Sequence, residues 1–131
     1  MVGLTSINAQ GAHVFLDYTG AFFQGETDGS WMLKRMREAV AATPAREVHA
    51  HVESFDGKVS PPGFAAVVLI DESHVSAHSY ADRGLLAVDC FTCGATDPDA
   101  VADHLHASLI RAFPELVLER RERVNRFLHT G

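Results

Sequence analysis

An acid, a hydroxyl and an imidazole lie together in the tetrapeptide Asp71-Glu72-Ser73-His74, directly after the most apolar run in the chain. Nucleophiles and proton-transferring groups in enzymes are built from these side chains. Strands more often end in turn-forming residues, so this cluster needs an explanation. The same side chains can also satisfy the backbone groups of a turn. The tetrapeptide alone leaves both interpretations open.

A second reactive segment is Cys90-Phe91-Thr92-Cys93. A C-x-x-C pattern is typical of a redox pair or of half a structural zinc site. The chain has no second C-x-x-C to complete a zinc site, although it has 8 histidines, and His49 and His51 share a strand face. Because Val88 and Cys90 share a strand face, we interpret Cys90 as a core residue and Cys93 as the functional cysteine.

The elements that position these groups follow from the hydrophobic periodicity. Strict alternation predicts a strand over Glu47 to Phe55, and helical spacing predicts a helix from Asp28 to Ala42. A second helix is predicted with Asp97 as its N-cap and Pro98 as its first residue. Further strands are predicted at 12–17, 64–70, 75–80, 84–91 and 116–124.

This order of elements predicts an α+β fold in one domain, residues 1–131. The pattern β-α-β-β followed by β-β-α-β suggests two similar halves. They would form a two-layer α/β sandwich, with a mainly antiparallel sheet and two helices on one face. A single domain of this size buries its surface only moderately well, so a dimer is expected to hide more apolar area.

Composition excludes several classes of protein. A hydrophobic content of 47% with 21% charged residues is typical of a folded domain. The net charge of -6 argues against a nucleic-acid surface, which needs clustered Lys and Arg. No stretch approaches the roughly 20 apolar residues of a membrane span. We therefore expect a cytoplasmic protein with reduced cysteines and neither nucleic acid nor membrane as a partner.

The stretch from Val67 to His78, together with Gly84 and the segment from Ala87 to Gly94, resembles the prokaryotic S-adenosylmethionine decarboxylase proenzymes. The spacing is similar too, since His78 comes 5 residues and Cys93 20 residues after Ser73. A weaker resemblance covers residues 11–17. The resemblance implies a pyruvoyl-dependent carboxy-lyase of spermidine synthesis, assembled as a dimer with active sites near the dimer interface.

The resemblance also implies a role for each matched residue. The chain would cut itself between Glu72 and Ser73 into a β chain, 1–72, and an α chain, 73–131, and Ser73 would become a covalent pyruvoyl cofactor. That ketone would take up the electrons released as carbon dioxide leaves the substrate. His78 would take part in processing and Cys93 would protonate the product. Because residues 73 and 78 would face opposite sides of a regular strand, we expect a bend or bulge between them.

The sequence departs from the family near the substrate and at one processing position. Relatives usually carry a serine where this chain has Ala65, so its hydroxyl is missing, and Ser76 is an alternative donor. The substrate-binding residues implied by the resemblance are Phe55, Tyr80 and Asp82, and the last two replace a family tryptophan and glutamate. No metal is implied.

These departures keep two other functions open. The same chemistry on arginine or ornithine is one, since a cationic tail could pair with Glu53, Asp56 or Asp82. A non-catalytic paralogue that acts as a binding partner is the other. Cleavage into two chains distinguishes an enzyme from that paralogue.

Overall fold

The computed structural model describes residues 7–130 and the side chains from residue 8 onward. Within this range the chain forms six strands and two helices. They are β1 (Ile7–Thr19), α1 (Gly29–Ala41), β2 (Glu47–Phe55), β3 (Gly63–Ile70), β4 (Ser73–Tyr80), β5 (Leu85–Cys93), α2 (Pro98–Ala112) and β6 (Val117–Thr130). None of the helices in this range is long and apolar enough to cross a membrane.

The strands form one antiparallel sheet in the order β2-β3-β4-β5-β1-β6. Helix α1 packs on β2 and β3, and α2 packs on β1 and β5, on the same face of the sheet. The predicted α+β two-layer sandwich is therefore confirmed. Sheet strands alternate their side chains between two faces, and one set is buried against the helices, including Val14, Leu16, Val68, Val75 and Val88.

Local signals in the sequence explain where the helices begin. Asp28 accepts a hydrogen bond from the Trp31 backbone N–H at 2.9 Å, and Asp97 accepts one from the Asp99 N–H at 3.0 Å. Such caps satisfy N–H groups that have no partner within the helix. Pro98 occupies the first turn of α2, where its missing N–H costs nothing. The predicted N-cap at Asp97 is confirmed.

The other face of the sheet is not covered by either helix, and we call it the open face. Its residues are aligned in rows by the strand register. One row contains Glu53, Ala65, His78, Ala87 and Asp17; a second contains His49, Leu69, His74, Phe91 and His13. The open face thus has several ionisable side chains over a floor of alanine, valine and leucine.

Strand β6 lies at the edge of the sheet, and all its described residues are exposed. Arg121 and Arg123 reach over to the first turns of α2, where they pair with carboxylates of Asp97, Asp99 and Asp103. Hydrogen bonds from Arg121 and then Arg123 lower the pKa of Asp99. These ion pairs tether the edge strand to the helix layer.

Candidate active site

A two-residue turn, Asp71-Glu72, joins β3 to β4, with Ile70 paired to Ser73. Glu72 has a φ of 69°, in the left-handed region that side-chain-bearing residues rarely adopt. Glycine is the usual residue at such a turn position. The backbone is therefore strained at the residue whose carbonyl forms the peptide bond to Ser73.

Arg46 stabilises this turn through hydrogen bonds to Asp71. Its guanidinium donates two hydrogen bonds to the Asp71 carboxylate, at 2.9 and 2.8 Å, and its carbonyl accepts one from the Asp71 N–H at 3.0 Å. The hydrogen bond from Arg46 lowers the pKa of Asp71. These contacts fix the turn without relieving the left-handed conformation of Glu72.

Ser73 is the first residue of β4 and is only 8% exposed. Its hydroxyl lies on the helix-covered face and donates to the Asp71 carbonyl oxygen at 3.2 Å. The tetrapeptide is therefore a turn followed by a strand, and β4 starts two residues earlier than the apolar pattern predicted. A cavity of about 450 Å³ opens along this end of the sheet, lined in part by Leu69, Glu72, Ser73 and Phe91.

Cys93 ends β5 on the open face, and its Sγ lies 3.8 Å from the Glu72 carbonyl oxygen. The thiol is thus brought to the same peptide group as Ser73. Cys90 points to the helix-covered face, where burial raises the pKa of its thiol to about 12. Because the two sulfur atoms lie on opposite faces of the sheet, they cannot share a zinc ion or form a redox pair. The described residues contain no group of three or more metal-ligating side chains.

His78 is exposed on the open face, and the predicted bend before it is wrong. The pairing of β4 with β3 runs from Ser73 to Tyr80 without a register shift. Pairing with β5 on the other side is equally regular, so neither neighbour leaves room for a bulge. Five residues of regular strand span about 16 Å. His78 therefore does not reach Ser73 of its own chain.

The substrate-binding candidates lie at the far end of the sheet. Phe55 and Tyr80 flank Gly63 across β2, β3 and β4, and both are exposed. Asp82 is exposed in the turn that follows β4. A cavity of about 330 Å³ at this end is lined in part by Asp17, His78, Tyr80 and Leu85. The candidate residues thus form two groups. Ser73 and Cys93 lie near the start of β4, and His78 and the substrate-binding candidates lie near its end.

Ala65, which stands where relatives usually carry a serine, lies next to His78. Ala65 is its cross-strand partner, so a hydroxyl at residue 65 would stand beside the imidazole. The Ser76 hydroxyl, the alternative donor, is directed to the Asp89 carboxylate at 3.4 Å.

A polar network on the open face was not predicted from the sequence. Arg126 of β6 approaches His13 Nδ1 at 3.3 Å, and His13 Nε2 lies 3.5 Å from the Asp89 carboxylate. Burial is the main cause that lowers the pKa of His13. The alternation of β1 places His13 on the open face, but the sequence does not indicate that β6 pairs with β1 or in which register.

The chain is similar in sequence to known proteins. A model of the S-adenosylmethionine decarboxylase family matches residues 12–120. The S-adenosylmethionine decarboxylase proenzyme of Brevibacillus brevis is 40% identical over 96 residues, which cover 72% of this chain and 69% of that protein. The proenzyme of Symbiobacterium thermophilum is 36% identical over 100 residues, covering 76% and 73%.

A solved structure is similar in fold. The crystal structure of the adenosylmethionine decarboxylase from Aquifex aeolicus matches with a TM-score of 0.62 and 22% sequence identity. The match covers 92% of this chain and 89% of that one. Both layers of the sandwich therefore have a counterpart in a known structure.

Proposed function

Because the chain belongs to the S-adenosylmethionine decarboxylase family, we propose that it cuts itself between Glu72 and Ser73 and then decarboxylates S-adenosylmethionine for spermidine synthesis. The membership confirms the family identified from the sequence, and with it the predicted class of pyruvoyl-dependent carboxy-lyases. The observation that carries the proposed cleavage site is the left-handed backbone of Glu72, directly before Ser73.

The proposed cleavage uses groups of this chain. The Ser73 hydroxyl attacks the Glu72 carbonyl carbon, and the peptide bond is exchanged for an ester. Loss of the Ser73 α-proton then breaks the bond between Cβ and the ester oxygen, which leaves a carboxylate on Glu72 and dehydroalanine at 73. Water converts the dehydroalanine to the ketone and releases ammonia. Strain at Glu72 raises the free energy of the intact turn and thereby favours the first step, in which the peptide bond to Ser73 breaks.

The residues at this end of the sheet fit a pyruvoyl group. Ser73 is nearly buried, so the ketone would be protected from bulk water on the helix side. When present, the pyruvoyl group accepts the electrons released with carbon dioxide. Cys93 lies on the open face, and its thiol supplies the proton that the product takes up at the α-carbon. Its distance of 3.8 Å from the Glu72 oxygen supports this role.

A second copy of the chain would complete each site. His78, Phe55 and Tyr80 lie about 16 to 23 Å along the strands from Ser73, too far to act on it within one chain. In a homodimer whose open faces meet with strands reversed, the far end of one protomer covers the Ser73 end of the other. Histidine would then assist cleavage, and the aromatic and acidic side chains would hold the nucleoside, across the interface. A cytoplasmic location stays a prediction.

Intact mass under denaturing conditions tests the cleavage. We expect two polypeptides, residues 1–72 and 73–131, with the second blocked at its N-terminus and labelled by a carbonyl reagent. Ser73→Ala is the matched control and should stay full-length. A wild-type chain that remains whole under all conditions would refute the proposal.

Carbon dioxide release tests the substrate. We expect release from S-adenosylmethionine and none from arginine or ornithine; the reverse pattern would refute the substrate assignment. Cys93→Ala should cleave itself but decarboxylate slowly. Full-rate decarboxylation by Cys93→Ala would exclude the thiol as the proton donor.

A further inference from the structure

Strand β6 has four arginines, and three of them form ion pairs with carboxylates while Arg126 does not. Arg120 pairs with Asp17, and Arg121 and Arg123 pair with carboxylates of α2. Within residues 8–130, Arg126 has no carboxylate within ion-pair distance. Its guanidinium instead lies over the Phe91 ring, 5.6 Å from the centroid. The Arg126 guanidinium thus lies at the open face without an acidic partner among these residues.

The strand register places this cation at the Cys93 end of the sheet. Gly11 is paired with Cys93 on one side and with Arg126 on the other. The two outer residues are therefore about 10 Å apart at their Cα atoms. No side chain separates them, and the thiol already leans over the glycine, since a Cβ on Gly11 would lie 2.9 Å from Cys93 Sγ. Glycine at residue 11 thus leaves no side chain between Cys93 and Arg126, and the thiol and the Phe91 ring edge occupy the place of the missing Cβ.

Arg126 is also held in place by the polar network described above. Arg126 Nη1 donates to His13 Nδ1, and the opposite nitrogen of the imidazole faces the Asp89 carboxylate. The Ser76 hydroxyl donates to the same carboxylate. A neutral imidazole protonated on Nε2 can accept from Arg126 at Nδ1 while its Nε2–H faces the Asp89 carboxylate, 3.5 Å away. Burial, which lowers the pKa of His13, favours this neutral form.

We propose that Arg126 binds the α-carboxylate of the amino-acid substrate. This inference rests on the proposed function, in which Cys93 protonates the substrate α-carbon. The carboxylate is bonded directly to that carbon, so it must lie beside the thiol, at the end of the sheet where Arg126 stands on the next strand but one. Guanidinium is the side chain best suited to a carboxylate, because its planar fork donates two parallel hydrogen bonds.

The chemistry of decarboxylation predicts how Arg126 acts on the kinetics. A guanidinium that pairs with the carboxylate stabilises the bound substrate, and this stabilisation is lost as neutral carbon dioxide forms. Interactions stronger in the ground state than in the transition state do not raise kcat. Arg126 therefore serves to capture the substrate, and its loss should raise KM without lowering kcat.

Two ligands that differ only in the carboxylate test the proposal. The mature enzyme is reduced with borohydride, which converts its ketone to an alcohol and prevents turnover. Calorimetry then gives Kd for S-adenosylmethionine and for decarboxylated S-adenosylmethionine. For Arg126→Gln we expect Kd for the first ligand to rise about tenfold or more, and Kd for the second to change less than about twofold. Arg126→Lys, which keeps the charge but not the fork, should show a smaller rise.

Arg123→Gln is the matched control, since Arg123 lies on the opposite face of the same strand. It should leave the ratio of the two Kd values unchanged. Self-cleavage and melting temperature of Arg126→Gln, measured first, establish that this exposed substitution folds. A wild-type chain that stays full-length would overturn the proposed function and this inference together. If the wild type cleaves but Arg126→Gln binds both ligands as the wild type does, or loses both equally, only this inference is overturned.

Discussion

Replacing Glu72 by glycine should slow self-cleavage, because it removes backbone strain from the intact chain. The left-handed conformation raises the free energy of a residue with a Cβ by about 1–2 kcal/mol, and glycine is free of this strain. Each 1.36 kcal/mol corresponds to about a tenfold change in rate. If the strain at φ 69° is released when the peptide becomes an ester, Glu72→Gly should cleave about 5- to 30-fold more slowly than the wild type.

Glu72→Ala is the matched control for this prediction. Alanine keeps the Cβ and thus the strain, but removes the carboxylate, so the difference between the two variants reports on the backbone alone. Each protein is made by a short pulse of cell-free synthesis, and the full-length fraction is followed by intact mass to obtain a first-order rate. If Glu72→Gly cleaves as fast as Glu72→Ala, strain does not drive cleavage and the reasoning from the turn is wrong.

Two further changes test the register and the ion pairs. Ala65→Ser should accelerate self-cleavage several-fold in the same pulse experiment, because the register places the new hydroxyl beside His78; an unchanged rate would argue against a role for that pair. Asp99→Asn, made in uncleavable Ser73→Ala, should cost about 1 kcal/mol of unfolding free energy at pH 7, a modest value because the carboxylate is partly exposed to solvent. Asp99 has a lowered pKa, so its contribution is present above the ordinary carboxyl range and is lost as pH falls through the folded-state value. Urea unfolding should therefore show the two proteins converging towards pH 2, and a constant difference would contradict this assignment.

The sequence predicts a strand or helix well where the spacing of its apolar residues fits only one type of element. The bounds of β2, Glu47–Phe55, agree with the prediction because strict alternation fits only a half-buried strand. The apolar pattern predicts the start of β4 two residues late, because Ser73 and His74 look like loop residues although both pair with β3. The charged end of β6 was missed for a related reason: an edge strand that is exposed throughout has no apolar period to mark it.

The site could be predicted only in part. Cys93 and Ser73 were predicted from resemblance, and the structure brings Cys93 next to the Glu72 carbonyl. The parity of residues 73 and 78 predicts a bend or bulge, which is wrong, because the pairing of β4 with both neighbours keeps the strand regular and the two residues apart. Arg126 could not have been found, because its place opposite Gly11 depends on a pairing between the first and last strands of the chain.

The order of strands in the sheet has a consequence for a chain cut at residue 72. The N-terminal fragment would contain β1, β2 and β3, and the C-terminal fragment would contain β4, β5 and β6. Because β1 is inserted between β5 and β6, the two polypeptides would be interlocked along three strand boundaries, β3–β4, β5–β1 and β1–β6. Cleavage between Glu72 and Ser73 would thus create two chain ends at the tip of a hairpin without releasing either fragment. The new N-terminus would be free to rearrange locally while the rest of the sheet keeps it anchored.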